Sequence, residues 1–132
     1  MGASFIDIEF EVRSNTDLTS IAKEFGQEVC VHYCGEKEPG IFSLSLQWLG
    51  LDSMPYDRAI GLCTLVEKLS PSAKKIWEEA EDRCFDLGFD ANLDKKIGLH
   101  VFSAETLDRL ASIGVRVAVS IYTHDLVNKY EK

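Results

Sequence analysis

Residues 6–13 read IDIEFEVR, a run in which Ile6, Ile8, Phe10 and Val12 alternate strictly with Asp7, Glu9, Glu11 and Arg13. Apolar side chains at every second position predict a strand with one face buried and one in water. Any one-sided sheet turns polar residues outward, and solubility alone favours acids there. The uniform sign is the departure, because a merely solvated strand mixes Lys, Thr and Glu. Three successive carboxylates repel one another and contribute nothing to folding, so they point to a basic partner.

Outward from this strand, Ser14, Asn15, Thr16 and Asp17 supply an N-cap for a short helix with Leu18, Ile21, Ala22 and Phe25 on one face, ended by Gly26. Val29, Val31 and Tyr33 then alternate with Cys30, His32 and Cys34. In the next run, Phe42, Leu44, Leu46 and Trp48 face one way, and the stretch Gly35 to Gly40, with Pro39 inside, reads as the hairpin turn between the two. Ser53, Pro55 and Asp57 open a helix with an apolar stripe of Ile60, Cys63, Val66 and Leu69. Ser70 and Pro71 form a fresh N-cap and first-turn pair, so a second helix burying Ala73, Ile76, Trp77 and Ala80 is predicted.

Phe85, Leu87 and Phe89 alternate with Asp86, Gly88 and Asp90 as a fourth strand, and a turn at Asn92 to Lys96 leads into a fifth around Ile97 to Phe102. Ser103 caps a helix carrying Leu107, Leu110 and Ala111, Gly114 stops it, and Val115, Val117, Val119 and Ile121 make a last strand with one strongly apolar side. The predicted order is β-α-β-β-α(α)-β-β-α-β. It forms one α+β domain over residues 1–132, an antiparallel or mixed sheet of about six strands with helices on one face. The first six elements can form a ferredoxin-like β-α-β-β-α-β unit with its first and fourth strands adjacent. In that arrangement Asp86 and Asp90 lie beside Asp7, Glu9 and Glu11, and these five are the candidate partner-binding residues. Trp48 and Tyr56 are candidate apolar anchors beside them, although Trp48 fits the core by the pattern of its strand.

Composition sets the bounds. At 132 residues, 45% hydrophobic and 27% charged, the chain can bury a core without metal or disulfide staples. The formal charge of −8 is uneven: residues 1–54 hold nine acids against Arg13, Lys23 and Lys37, and residues 55–132 hold thirteen against eleven bases. Nucleic acid is not expected as a direct ligand, since binding phosphates needs clustered Lys and Arg. No basic region opens an apolar run at the N-terminus and no segment reaches the length of a membrane span. The expectation is therefore a cytoplasmic protein with Cys30, Cys34, Cys63 and Cys84 reduced, Cys63 and Cys84 being small core residues among apolar helical neighbours.

Chemistry-bearing patterns are few. Cys30, His32 and Cys34 at alternate positions would share a strand face, but zinc wants four convergent ligands and neither a C-x-x-C pair nor a fourth ligand is nearby in sequence. His100 and His124 stand without a recognisable nucleophile or orienting acid. The chain has no G-x-G-x-x-G, G-K-[ST], H-E-x-x-H or G-x-S-x-G. No catalytic residue, cofactor or metal is expected.

Three segments carry a resemblance. The closing LHVFSAETLDRLASIGVRVAVSIY (99–122) resembles the end of a bacterial domain family of unknown function, number 4279, with its strand, leucine-spaced helix, glycine stop and strand finishing at a tyrosine. GEKEPGIFSLSLQW (35–48) is similar to its Gly-led turn and aromatic-rich strand, and LCTLVEKLSPSAKKI (62–76) to its middle helix with a Leu-Ser-Pro break. The chain departs from that family at FGQEVC (25–30), where a Leu-Gly and a following Pro are common. The resemblance implies a compact bacterial cytosolic α+β protein and transfers no catalytic residue. Relatives of this kind occur among immunity proteins of polymorphic toxin systems, which neutralise basic toxin domains. The expectation is thus a non-enzymatic, antitoxin-like protein that binds a basic toxin domain. The alternative is a ligand-binding or regulatory domain with a small-molecule pocket between sheet and helix.

Overall fold

A computed structural model describes residues 4–49, 55–91 and 102–123, with side chains over 8–49, 58–89 and 102–122. Strand β1 (Ser4–Ser14) leads into helix α1 (Thr19–Phe25) and a single 3-10 turn (Gly26–Glu28). The hairpin β2 (Val29–Glu38) and β3 (Ile41–Trp48) follows, then the successive helices α2 (Pro55–Glu67) and α3 (Pro71–Glu79). Strand β4 (Asp82–Ala91), helix α4 (Ala104–Ser112) and strand β5 (Arg116–Thr123) complete the described chain. The strands form one sheet in the order β2-β3-β1-β4-β5. The first four are mutually antiparallel neighbours, which is the ferredoxin-like arrangement, with β1 beside β4. Strand β5 adds parallel to β4 with α4 in the connection, making the sheet mixed. Five strands are present among the described residues. The strand expected at Ile97 to Phe102 lies outside them except for Phe102, which precedes α4 outside any strand and packs on Phe85 at 6.2 Å between ring centroids.

The core follows from the period-two pattern. Ile8, Phe10 and Val12 of β1, Leu44 and Leu46 of β3, and Phe85 and Leu87 of β4 are buried on one face of the sheet. Leu18, Ile21 and Phe25 of the α1 segment, Leu62 and Val66 of α2, Ala73 and Trp77 of α3, and Leu110 of α4 cover them from the other side. Fully burying a side chain such as Phe85 or Leu62 contributes about 1.5–3 kcal/mol. The four helices of the described residues therefore lie on one face, and none of the described helices covers the opposite, open face. Phe10 and Phe85, opposite one another on the β1–β4 ladder, stack at 4.5 Å between centroids.

Local chemistry terminates the elements. Ser70 accepts from the Ala73 amide at the start of α3, and its own amide and hydroxyl donate to the Glu24 carboxylate of α1 at 2.8 and 2.6 Å. Ser103 likewise caps α4 through the Thr106 amide. At α1 the capping position belongs to Leu18, whose buried side chain cannot cap. Asp17, one residue earlier, accepts from the Thr19 amide and hydroxyl instead. The end of α3 is held from β4: Arg83 donates to the carbonyls of Trp77, Ala80 and Gly114 at 2.7, 3.1 and 2.9 Å. Trp77 in turn donates from its indole to the Ile113 carbonyl at 2.8 Å. Two side chains thus fasten α3 and β4 to the turn between α4 and β5.

Several expectations are corrected by register. The β1–β4 ladder slips at Ile6, where the predicted alternation begins, so Phe5 pairs with Phe89 and Asp7 with Gly88. The hairpin turn contracts to Pro39 and Gly40, because β2 continues through Glu38, and Gly40 adopts φ +79° beyond the proline. Ile60 is exposed, and Ala59, Leu62 and Leu65 join Cys63, Val66 and Leu69 on the buried side of α2. Trp48 packs inward against α2, where Gly61 leaves no room for a Cβ beside the indole.

Candidate functional site

The open face of the sheet presents the alternate residues of β1 and β4. Register places Asp7 opposite Gly88, Glu9 opposite Asp86, Glu11 opposite Cys84, Arg13 opposite Asp82 and Ser4 opposite Asp90. The five candidate residues Asp7, Glu9, Glu11, Asp86 and Asp90 therefore occupy one face of two adjacent strands. The side chains of Asp7 and Asp90 lie outside the described residues, as does that of Tyr56. Glu11 is exposed, whereas Glu9 and Asp86 are half-buried. Asp86 accepts from the Ser120 hydroxyl of β5 at 3.0 Å, which fixes its carboxylate on this face.

The acid is not uniform across the face. Arg116, the first residue of β5, meets Asp82 in a two-pronged contact at 2.8 and 2.9 Å. The hydrogen-bonded guanidinium holds the Asp82 carboxyl below its ordinary range, and Arg13 adds to the effect. Cations thus gather at the end of the sheet where β1 finishes, and the carboxylates of Glu9 and Asp86 share a rung farther along the two strands. Between them sits Cys84, which the sequence pattern had assigned to the core among helical residues. It is buried instead on the open face, in a strand, in the rung of Glu11 and Arg116. Burial pushes its thiol up, and the carboxylates of Asp82, Asp86 and Glu11 act in the same direction against Arg116.

Toward β2 the face becomes neutral. Ser45 and Tyr33 continue the row of Glu11, and the Tyr33 ring lies against Gly35, with the Lys37 ammonium 5.6 Å from its centroid. A groove of about 370 Å³ runs across this end, lined by Glu11, Arg13, Lys37, Glu38, Ser43 and Asp82 among others. Both carboxylates (Glu11, Glu38, Asp82) and cations (Arg13, Lys37) line it, so it can hold a polar group of either sign.

Cys30, His32 and Cys34 do not share a face. Register slips between Val31 and Tyr33, which sets Cys30 opposite Gln47 on the open side and Cys34 opposite Leu44 on the helix side. His32 contacts Gln47 at 3.2 Å, while Cys34 packs against the core. The bulge thus breaks the alternation on which a shared ligand set depended. Among residues the sequence reading missed, Arg116 and Ser120 reach the face only because β5 lies beside β4 in parallel. Their signal was the phase of the last strand, where 116, 118, 120 and 122 alternate with valines and isoleucine.

Comparison with family models, with curated proteins and with solved structures finds no match for the chain. Among the described residues no helix is long and apolar enough to cross a membrane.

Proposed function

We propose that this chain is a non-enzymatic binding protein of the immunity or antitoxin type, acting in the cytoplasm, which captures a basic toxin domain on the open face of its sheet. The observation that carries this reading is the register of β1 on β4, which collects Asp7, Glu9, Glu11, Asp86 and Asp90 on a face that leaves the helices behind. Carboxylates opposed on one rung repel one another and favour capture of a positively charged surface by electrostatic steering. Exposed ion pairs alone contribute little, so apolar or aromatic contacts must add to them; Tyr33 and Tyr122, exposed on the same face, suit that role. The resemblance to the bacterial domain family supports the same reading.

The test is affinity capture of the tagged protein from its host at low and high salt, followed by binding kinetics of a Glu9→Lys, Glu11→Lys variant with the captured protein. The expected result is a stoichiometric basic protein whose association rate falls in the variant and loses its salt dependence. Unchanged kinetics would remove the surface from the proposal. The mixed-charge groove at Arg13 and Lys37 favours a second reading, a small-molecule module. Thermal shifts across a metabolite panel, diminished by Arg13→Ala, would select it.

A further inference from the structure

The two edges of the sheet are built differently. Strand β2 carries Glu36, Lys37 and Glu38 and loses register at His32 and again at Lys37, features that stop an edge from accepting another strand. Strand β5 runs along β4 in unbroken register from Arg116 to Thr123, and beyond Arg116 it contains no charge, proline or bulge. Among the described residues no strand pairs with its outer side. Val117, Val119 and Ile121 continue the rows of Phe85, Leu87 and Phe89 on the helix face, yet they are 39%, 58% and 64% exposed. The apolar side predicted for this strand is present, and none of the described elements covers it.

We propose that β5 is a self-association edge, at which two copies of this chain pair antiparallel about a two-fold axis at Val119. Charge selects the occupant. A molecule with a net charge of −8 can approach its own copy closely only along an uncharged strip, and residues 117–123 form one. The strand is also self-complementary. A two-fold at Val119 sets Val117 opposite Ile121 of the second copy on the helix face, and Ala118 opposite Ser120 on the open face. Arg116 then comes opposite Tyr122, where a guanidinium over an aromatic ring is favourable and no like charges meet. Such an isologous contact uses the same edge of both copies and closes at a dimer, leaving the protected β2 edges outermost. Parity keeps both open faces on one side of the joined sheet.

The test is sedimentation equilibrium of the full chain from about 1 to about 500 μM, where mass action must reveal a dimer. Val119→Lys, which opposes two ammonium groups at the axis, is expected to weaken dimerisation at least about tenfold while circular dichroism stays unchanged. In a Cys30→Ser, Cys34→Ser background, oxidation should cross-link Val119→Cys to itself and leave Val117→Cys, which faces Ile121, largely uncrosslinked. The cross-linking pair decides the matter if the lysine variant does not fold. A monomer at every concentration, including one whose edge is covered by its own chain, would overturn the proposal, as would a dimer indifferent to Val119→Lys or equal cross-linking at both positions.

Discussion

Glu9 stands directly opposite Asp86 on the β1–β4 ladder, so two carboxylates share one rung in the middle of the sheet. Like charges so placed destabilise a strand pair. Asp86→Asn relieves that repulsion and keeps an oxygen to accept from Ser120. Urea unfolding should show stability unchanged or raised by up to about 1 kcal/mol, with slower capture of a basic partner. A loss of stability would show that the carboxylate serves the fold.

Gly114 combines φ +75° with a crowded neighbourhood, since a Cβ there would lie 2.6 Å from Arg83 Nη2. Gly114→Ala should therefore cost about 2–4 kcal/mol, part backbone strain and part displacement of the guanidinium from the end of α3. In an Arg83→Ala background the same substitution should cost only the strain, about 1–2 kcal/mol. A double-mutant cycle by urea denaturation checks the coupling, and additive costs would contradict it.

Acid should weaken the α1–α3 junction. The Ser70 hydroxyl and amide hold the Glu24 carboxyl below its ordinary value, so the unfolded chain takes up its proton at higher pH than the folded one. The stabilisation is complete above the unfolded value and is lost as pH falls through the folded one. Asp82, lowered by Arg116, and Asp17, lowered by Thr19, have the same sign. Stability measured between about pH 6 and pH 2 should fall with acid, and less steeply for Glu24→Gln.

The four thiols should divide into two classes. Cys63 is fully buried and burial pushes its thiol up to about 11; Cys84 is also buried and also raised. Cys30 and Cys34 are partly exposed. At pH 8, a disulfide reagent should titrate Cys30 and Cys34 in the native protein and reach Cys63 and Cys84 only after denaturation. Rapid reaction at Cys84 would mean that the cover of side chains over it opens readily.

Local signals were the legible part of this chain. The alternation in Ile8, Phe10 and Val12, the Ser70-Pro71 start, the Ser103 cap and the stops at Gly26 and Gly114 each depend on neighbours within a few residues, and the structure has them where the sequence placed them. The ferredoxin-like pairing of β1 with β4 was legible as topology, and with it the shared face of the five acids.

What stayed hidden depends on partners distant in sequence. A bulge at His32 turns Cys34 away from Cys30, yet nothing in VCVHYC distinguishes a bulged strand from a regular one. Cys84 looked apolar in a helical neighbourhood, and only the register beside Glu11 and Arg116 reveals its place on the open face. The exposure of Val119 and Ile121 likewise follows from β5 being the last strand of the sheet, which its own residues cannot announce.

The central position of β1 restricts how this surface can change over time. Because β1 is paired on both sides, by β3 and by β4, adding or deleting one residue within 8–13 would exchange its two faces, sending Glu9 and Glu11 into the core and Phe10 and Val12 into water. The acidic row can therefore diversify only by substitution, one side chain at a time. Length variation is confined to places that already tolerate an irregular step, such as the slip at Ile6, and to the outer strand β2. A lineage tracking a changing partner would keep its spacing along β1 and alter its letters.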